Sequence, residues 1–128
     1  MAFNFSGASL QKLYGVHPDL VRVMKCAIAL SPLDFKLTEG LRTVERQRQL
    51  VDAGASRTMK SRHITGHAVD VAALVGSEVR WDWPLYSKIA AAVKEAAKAE
   101  SVPIEWGGDW RTFKDGPHFQ LPHKDYPA

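Results

Sequence analysis

Ser61-Arg62-His63-Ile64-Thr65-Gly66-His67-Ala68-Val69-Asp70 runs straight into Val71-Ala72-Ala73-Leu74-Val75. The apolar second half, Val69–Val75, reads as a strand. Strand residues two apart share a face, so Asp70 can point at a site while Val69 and Val71 pack the other way. The first half is polar, and Gly66 lets the backbone fold between His63 and Asp70. Those two residues stand seven apart. Ligands paired on one helix stand three or four apart, so this spacing fits a loop leading into a strand. One reading is a polar turn before a buried strand. The other is a ligand loop, because two neutral imidazoles and one carboxylate form an open set for catalytic zinc, with a fourth position left for water. On that reading His118, in Asp115-Gly116-Pro117-His118-Phe119, supplies the third ligand and Asp115 stands beside it as an acid/base. His67 is the rival ligand. It lies four residues from His63, but Gly66 and the following strand argue against a helix there.

Working outward, Phe35-Lys36-Leu37-Thr38-Glu39 alternates apolar and polar residues and reads as another strand. Thr43 is a good N-cap and Glu45 sits well in a first turn. A helix is expected from there to about Asp52, stopping at Gly54. Its polar run Glu45-Arg46-Gln47-Arg48-Gln49 reads as a solvated face, and 55–62 as a loop. Farther upstream, Pro18 suits a first helical position, and Val21, Met24 and Ile28 recur at helical spacing. They predict a helix over Pro18–Leu30. Ser9–Tyr14 reads as one or two helical turns ended at Gly15. Downstream, 76–83 reads as a loop or hairpin-like excursion. From Pro84, the residues Leu85, Ile89, Val93 and Ala96 form the apolar face of a helix that ends before Pro103. Ile104-Glu105-Trp106 and His118–Leu121 read as short strands, and Pro122 onward as a surface tail. His17 and His123 read as surface residues. The order of elements is that of an α+β fold.

The chain has 128 residues, enough for one domain that buries roughly two-thirds of its surface. Hydrophobic and charged contents of 45% and 24% are those of an ordinary globular protein. No apolar run approaches the roughly 20 residues of a membrane span. Met1-Ala2-Phe3-Asn4-Phe5 has no basic segment followed by an apolar one, so no signal peptide is expected. The single cysteine, Cys26, lies in an apolar helical pattern and reads as core; it excludes an internal disulfide and suits a reducing cytoplasm. The net charge of +3 is scattered, with no dense basic run, so nucleic-acid binding is not expected.

The pattern Ser61-x-His63-x-x-Gly66-x-Ala68-x-Asp70, followed by Asp115-x-x-His118-Phe119, resembles the zinc peptidases of bacterial cell walls. These include D-alanyl-D-alanine dipeptidases and carboxypeptidases, and the L-alanyl-D-glutamate peptidases used as phage endolysins. Glu105-Trp106-Gly107-Gly108-Asp109-Trp110 and the short length are most similar to the endolysin branch. The match runs from about Leu37 to Phe119. The resemblance implies a small, mainly antiparallel sheet with helices packed against it and the zinc site at the sheet, a Hedgehog/DD-peptidase-like arrangement. Residues 1–128 would form a single catalytic domain. It implies Zn2+ on His63, Asp70 and His118, with Asp115 as acid/base. Arg42, in Thr38-Glu39-Gly40-Leu41-Arg42-Thr43, would contact substrate or the oxyanion. Its alternative is a surface ion pair with Glu39 or Glu45. Ser61 would lie near the substrate, or serve as a plain turn residue. Trp106, with Trp110 and Asp109, would shape the wall, and Trp106 would touch substrate.

The implied partner is the peptidoglycan stem peptide, cut at the L-alanyl-D-glutamate bond. The alternatives are a D-alanyl-D-alanine carboxypeptidase or dipeptidase, or a non-catalytic wall-binding domain of the same fold. Asp115 beside a full ligand set argues against the last. A monomer without stable membrane association is expected. It would be held in the host cytoplasm and reach the periplasm and cell wall at lysis.

Overall fold

The computed structural model describes residues 3–56 and 58–127. Met1, Ala2, Arg57 and Ala128 lie outside the described residues, and with them the expectations for the chain start and for one point of the 55–62 loop. Along the chain come α1 (Gly7–Lys12), α2 (Pro18–Leu30), β1 (Asp34–Glu39), α3 (Val44–Asp52), β2 (Ala68–Val75) and β3 (Glu78–Arg80). Then follow α4 (Trp83–Glu100), β4 (Glu105–Trp106), a 3-10 turn (Gly107–Asp109) and β5 (His118–Gln120).

The sheet is built around β2. One edge of β2 pairs with β1; the other is shared by β5 along its first residues and by β3 along its last, with β4 beyond β5. Every pairing is antiparallel. This is the α+β fold with a mainly antiparallel sheet that the resemblance implied. Alternation along β2 puts Val69, Val71 and Ala73 on one face, where they join Phe35 and Leu37 in the core. The apolar stripes of α2 (Leu20, Val23, Met24) and α4 (Ile89, Val93, Ala96) complete that core. Each large side chain so buried contributes about 1.5–3 kcal/mol. Tyr86 of α4 is buried too, and its hydroxyl accepts from Ala73 N and donates to Arg80 O, clasping the β2–β3 hairpin.

The opposite face of β2 carries Asp70. Along β1 the register runs Leu37↔Val71 and then Glu39↔Asp70. Thr38 is therefore the extra residue of a bulge, and bulges re-aim the side chain that follows. Simple alternation would send Glu39 to the core side with Leu37. The bulge sets it across from Asp70 instead.

Local capping explains the helix starts. Thr43 Oγ1 accepts from Arg46 N, and Ser6 Oγ accepts from Ser9 N, so α1 begins earlier than the apolar pattern suggested. Three expectations need correction. Gln47 is not solvated: it is fully buried at 0% exposure, because polar partners below α3 need its amide. The segment after Pro122 is not a loose tail. Tyr126 packs against the core, its hydroxyl donates to Asp19 Oδ2 at 2.7 Å, and Arg62 Nη2 donates to the carbonyls of Leu121 and Tyr126. His17 is half-buried, since its Nδ1 accepts from Asp19 N and caps α2.

Candidate metal centre and active-site cleft

Asp70 and His118 face each other directly in the β2–β5 ladder, so antiparallel pairing alone puts both side chains on one face. His63 arrives from the preceding loop. Gly66 makes that loop possible: its φ is +77°, and a Cβ there would fall onto the carbonyl oxygen of Gly15. The loop is pinned by Arg42 N donating to His63 O at 2.9 Å and by His17 N donating to Gly66 O at 2.8 Å.

The neighbours of each imidazole set its tautomer. His63 Nδ1 lies 2.9 Å from Gly40 O. A carbonyl only accepts, so Nδ1 carries the proton and the Nε2 lone pair faces Asp70 Oδ1 at 3.2 Å. His118 is turned the other way, with Nδ1 3.0 Å from Asp70 Oδ1 and Nε2 2.8 Å from Gln120 Oε1. Gln120 is itself oriented by Glu105. Its Nε2 donates to Glu105 Oε2 at 3.1 Å, which leaves Oε1 to accept from His118. Trp110 Nε1 donates to the same carboxylate oxygen at 2.9 Å.

One lone-pair nitrogen from each His and one oxygen of Asp70 thus converge. These atoms lie within 4.8 Å of one another, a spacing that could hold a metal ion. Burial favours a protonated Asp70, but hydrogen bonds and charge from His118 and His63 in their protonated forms outweigh it and hold the carboxyl well below the usual carboxylate range. In the neutral tautomers both rings turn lone pairs to Asp70 Oδ1, a cluster of acceptors that a cation would satisfy. Two imidazoles with fixed outer tautomers and one ionised carboxylate are what a zinc site requires. The donor set therefore fits a divalent cation.

Around it opens a cleft of about 570 Å³, lined among others by Arg42, Ser61, His63, Trp110, Asp115 and His118. Asp115 N donates to Gly107 O at 3.0 Å, and Asp115 O accepts from His118 N at 3.2 Å, fixing the turn before β5. Burial, and the charge of Asp70, push the Asp115 carboxyl up; His118, His63 and Arg42 oppose them only in part. Arg42 is 8% exposed in its side chain, so it is not a surface residue. Its Nε and Nη2 donate to the two oxygens of Glu39 at 2.6 and 2.7 Å, and its Nη1 donates to Gln47 Oε1 at 2.7 Å. Nη2 also lies 3.7 Å from Asp70 Oδ2. The Arg42 hydrogen bond holds the Glu39 carboxyl below its ordinary value despite burial. Gln47 passes the connection on, donating to Ser56 Oγ at 2.8 Å and to Thr58 O.

Other residues fall differently. Ser61 lines the cleft, and its Oγ accepts from His63 N at 3.2 Å. Trp106 is in the core: its indole donates to Gly116 O at 2.7 Å and its ring stacks on Phe119, so the cleft wall here is Trp110. Asp109 points outward to Lys94 at 2.7 Å, with side chains 56% and 47% exposed. His67 turns to Thr65 Oγ1, its ring beside His17 and Tyr126, outside the donor set. Gln120, Gly40 and Gln47 escaped the sequence reading. A glutamine two residues after the candidate ligand His118 on the same strand was the one available signal.

The Glu105–Gln120–His118 chain makes a prediction. Glu105→Ala removes the acceptor that orients the Gln120 amide, so Gln120 can flip and offer its NH2 to His118. If His118 holds a divalent cation, affinity for it is expected to fall by about 10–100-fold, as for other outer partners of ligating histidines. Competition with a chromophoric chelator measures it.

A fold of this kind, with a His–Asp–His donor set beside an acid in an open cleft, defines a candidate metal-dependent centre on a small antiparallel sheet. The chain belongs to the phage L-alanyl-D-glutamate peptidase family, whose sequence model matches residues 1–121. It is 34% identical over 119 residues to the L-alanyl-D-glutamate peptidase of Escherichia phage T5, covering 90% of this chain and 87% of that one. It is 42% identical over 94 residues to the L-alanyl-D-glutamate peptidase of Listeria phage A118, covering 73% of this chain; the match spans only 32% of that longer protein. Among solved structures, the Serratia marcescens L-Ala D-Glu endopeptidase ChiX superposes with a TM-score of 0.93 at 52% identity, covering 98% of this chain and 95% of that one.

Proposed function

We propose that this chain is a zinc-dependent peptidoglycan L-alanyl-D-glutamate endopeptidase acting as a phage endolysin, with residues 1–128 as one catalytic domain. The observation that carries the reading is the convergence of His63 Nε2, His118 Nδ1 and Asp70 Oδ1 in a cleft that Asp115 also lines. Family membership and the names of the relatives support the bond, and the phage origin of two of them suits a role in lysis. Zinc held by His63, Asp70 and His118 would supply an activated water and polarise the scissile carbonyl. Asp115 takes the proton from the attacking water and delivers it to the amine of the departing D-glutamyl residue. Its raised proton affinity suits both halves of that transfer. Arg42, held rigid by Glu39 and Gln47, presents positive charge where the carbonyl oxygen becomes negative. Ser61 and Trp110 flank the peptide.

Digestion of purified peptidoglycan followed by mass spectrometry of the fragments tests this. Stem peptides beginning at D-glutamate should appear and should vanish with a chelator. Release of D-alanine would move the assignment to a carboxypeptidase.

Arg42→Lys tests the guanidinium. A lysine keeps the charge but not the two-pronged contact, so the Glu39 and Gln47 oxygens lose donors at a cost of about 1–3 kcal/mol. We expect full zinc content, a lower melting temperature and a reduced kcat/KM on stem peptide. Unchanged kcat/KM would remove Arg42 from the reaction.

A further inference from the structure

Three hollows adjoin through shared lining residues. The central one holds the candidate metal centre. Asp115 lines both it and a neighbouring groove of about 210 Å³ walled by Trp81, Trp83 and Tyr86. Lys60, Ser61 and Arg62 line both the cleft and a third hollow of about 440 Å³ that reaches His123. The first outer hollow is therefore aromatic, and exposed Lys60 brings a positive charge to the other, where the Arg62 guanidinium is buried and turned to the carbonyls of Leu121 and Tyr126.

The aromatic hollow is costly to leave in water. Trp81 is 60% exposed and Trp83 49% exposed, and both line the same groove. Clustered exposed aromatics mark binding surfaces, whereas single ones need no explanation. Both rings are also held in place. Trp81 stacks on buried Tyr86 at 6.0 Å with 5° between the planes, and the Tyr86 hydroxyl is clasped by Ala73 and Arg80. Trp83 meets Trp106 edge-on and rests against Gly116, where a Cβ would stand only 3.2 Å from its ring. Pre-ordered aromatic faces of this kind bind ligands at little entropic cost.

The chemistry of the substrate in the proposed reaction has the same polarity. The L-alanine whose carbonyl is attacked is joined through its nitrogen to the lactyl group of a muramyl sugar. That sugar lies about two residue lengths, roughly 7 Å, from the scissile bond. A pyranose ring has an apolar C–H face that packs on an aromatic face. On the other side of the bond, D-glutamate keeps a free α-carboxylate, because the chain continues through its side chain. We propose that the Trp81–Trp83 groove is a subsite for the muramyl sugar, with the carboxylate-bearing stem running toward Lys60. The inference rests on the endopeptidase reading and adds the glycan side of its substrate.

The test compares two substrates: a disaccharide-linked stem peptide, and the same peptide carrying an N-acetyl cap in place of the sugar. The wild type should favour the sugar-bearing substrate in kcat/KM. Trp81→Ala should cut that preference roughly tenfold, mainly through KM, and Trp81→Phe should restore most of it. The ratio is insensitive to any general loss of folded enzyme, which lowers both rates alike. A wild type that cuts both substrates equally well, or a Trp81→Ala ratio equal to that of the wild type, overturns the sugar subsite alone. A wild type that cuts neither substrate overturns the endopeptidase reading itself.

Discussion

Asp115→Asn is expected to lose at least roughly a hundredfold in kcat, since a positioned acid/base contributes about a hundred to ten thousandfold. Zinc content should remain full, because Asp115 lies beside the donor set without belonging to it. Folding should not suffer either. A buried carboxyl whose proton affinity is raised destabilises the folded state once it ionises, and burial and Asp70 raise this one. An isosteric amide removes that charge, so the melting temperature at neutral pH should hold or rise. Two other acids of the C-terminal segment, Glu105 and Asp109, are set apart by their surroundings. Glu105 is engaged by Trp110 and Gln120, and Asp109 by Lys94 on the surface. Asp109, expected in the wall of the site, instead lies in an exposed ion pair. An exposed ion pair contributes little, so Asp109→Asn should keep both stability and rate. Measuring kcat, zinc and melting temperature for both variants decides the matter; an inactive, metallated Asp109→Asn beside an active Asp115→Asn would reverse the roles.

Replacing either imidazole should have the largest effect on the protein as a whole. His63→Ala and His118→Ala are each expected to abolish tight zinc binding and, with it, the metal's contribution to stability. At a hundred- to thousandfold excess of zinc over its dissociation constant, that contribution is about 2.7–4.1 kcal/mol. Each substitution also leaves an acceptor unpaired, Gly40 O in one case and Gln120 Oε1 in the other. Melting temperature alone would therefore mix two causes. The clean readout is its response to a chelator, which should lower the wild type and leave both variants where they are. His67→Ala should respond like the wild type. Full zinc by elemental analysis in both His63→Ala and His118→Ala would defeat the ligand assignment, and His67 would be the first replacement to examine.

Much of this was legible from local rules. Pro18 and the apolar repeat through Met24 and Ile28 set α2 from Pro18 to Leu30, because helix period and first-turn chemistry are local. Thr43 capped α3 for the same reason. The seven-residue interval from His63 to Asp70, with Gly66 between, pointed to a loop feeding a strand, and Asp115 was tied to His118 by three residues. What the chain alone could not decide depends on contacts between distant segments. Gln47 sits in a run of charges, and nothing local marks it as buried. Only the approach of Arg42, Ser56 and Thr58 makes that position a polar interior. Glu39 faces Asp70 because of a bulge, and a bulge is a property of two paired strands. The tautomers of His63 and His118 follow from Gly40 and Gln120, which reach them through the loop's return and the β5 strand. Trp106 and Trp110 look alike in sequence, yet strand pairing sends one into the core and hydrogen bonding to Glu105 turns the other to the cleft. Sequence determined the elements and the donor types, since both depend on neighbours along the chain. Tertiary structure decided orientation, burial and proton position, since those depend on which segments meet.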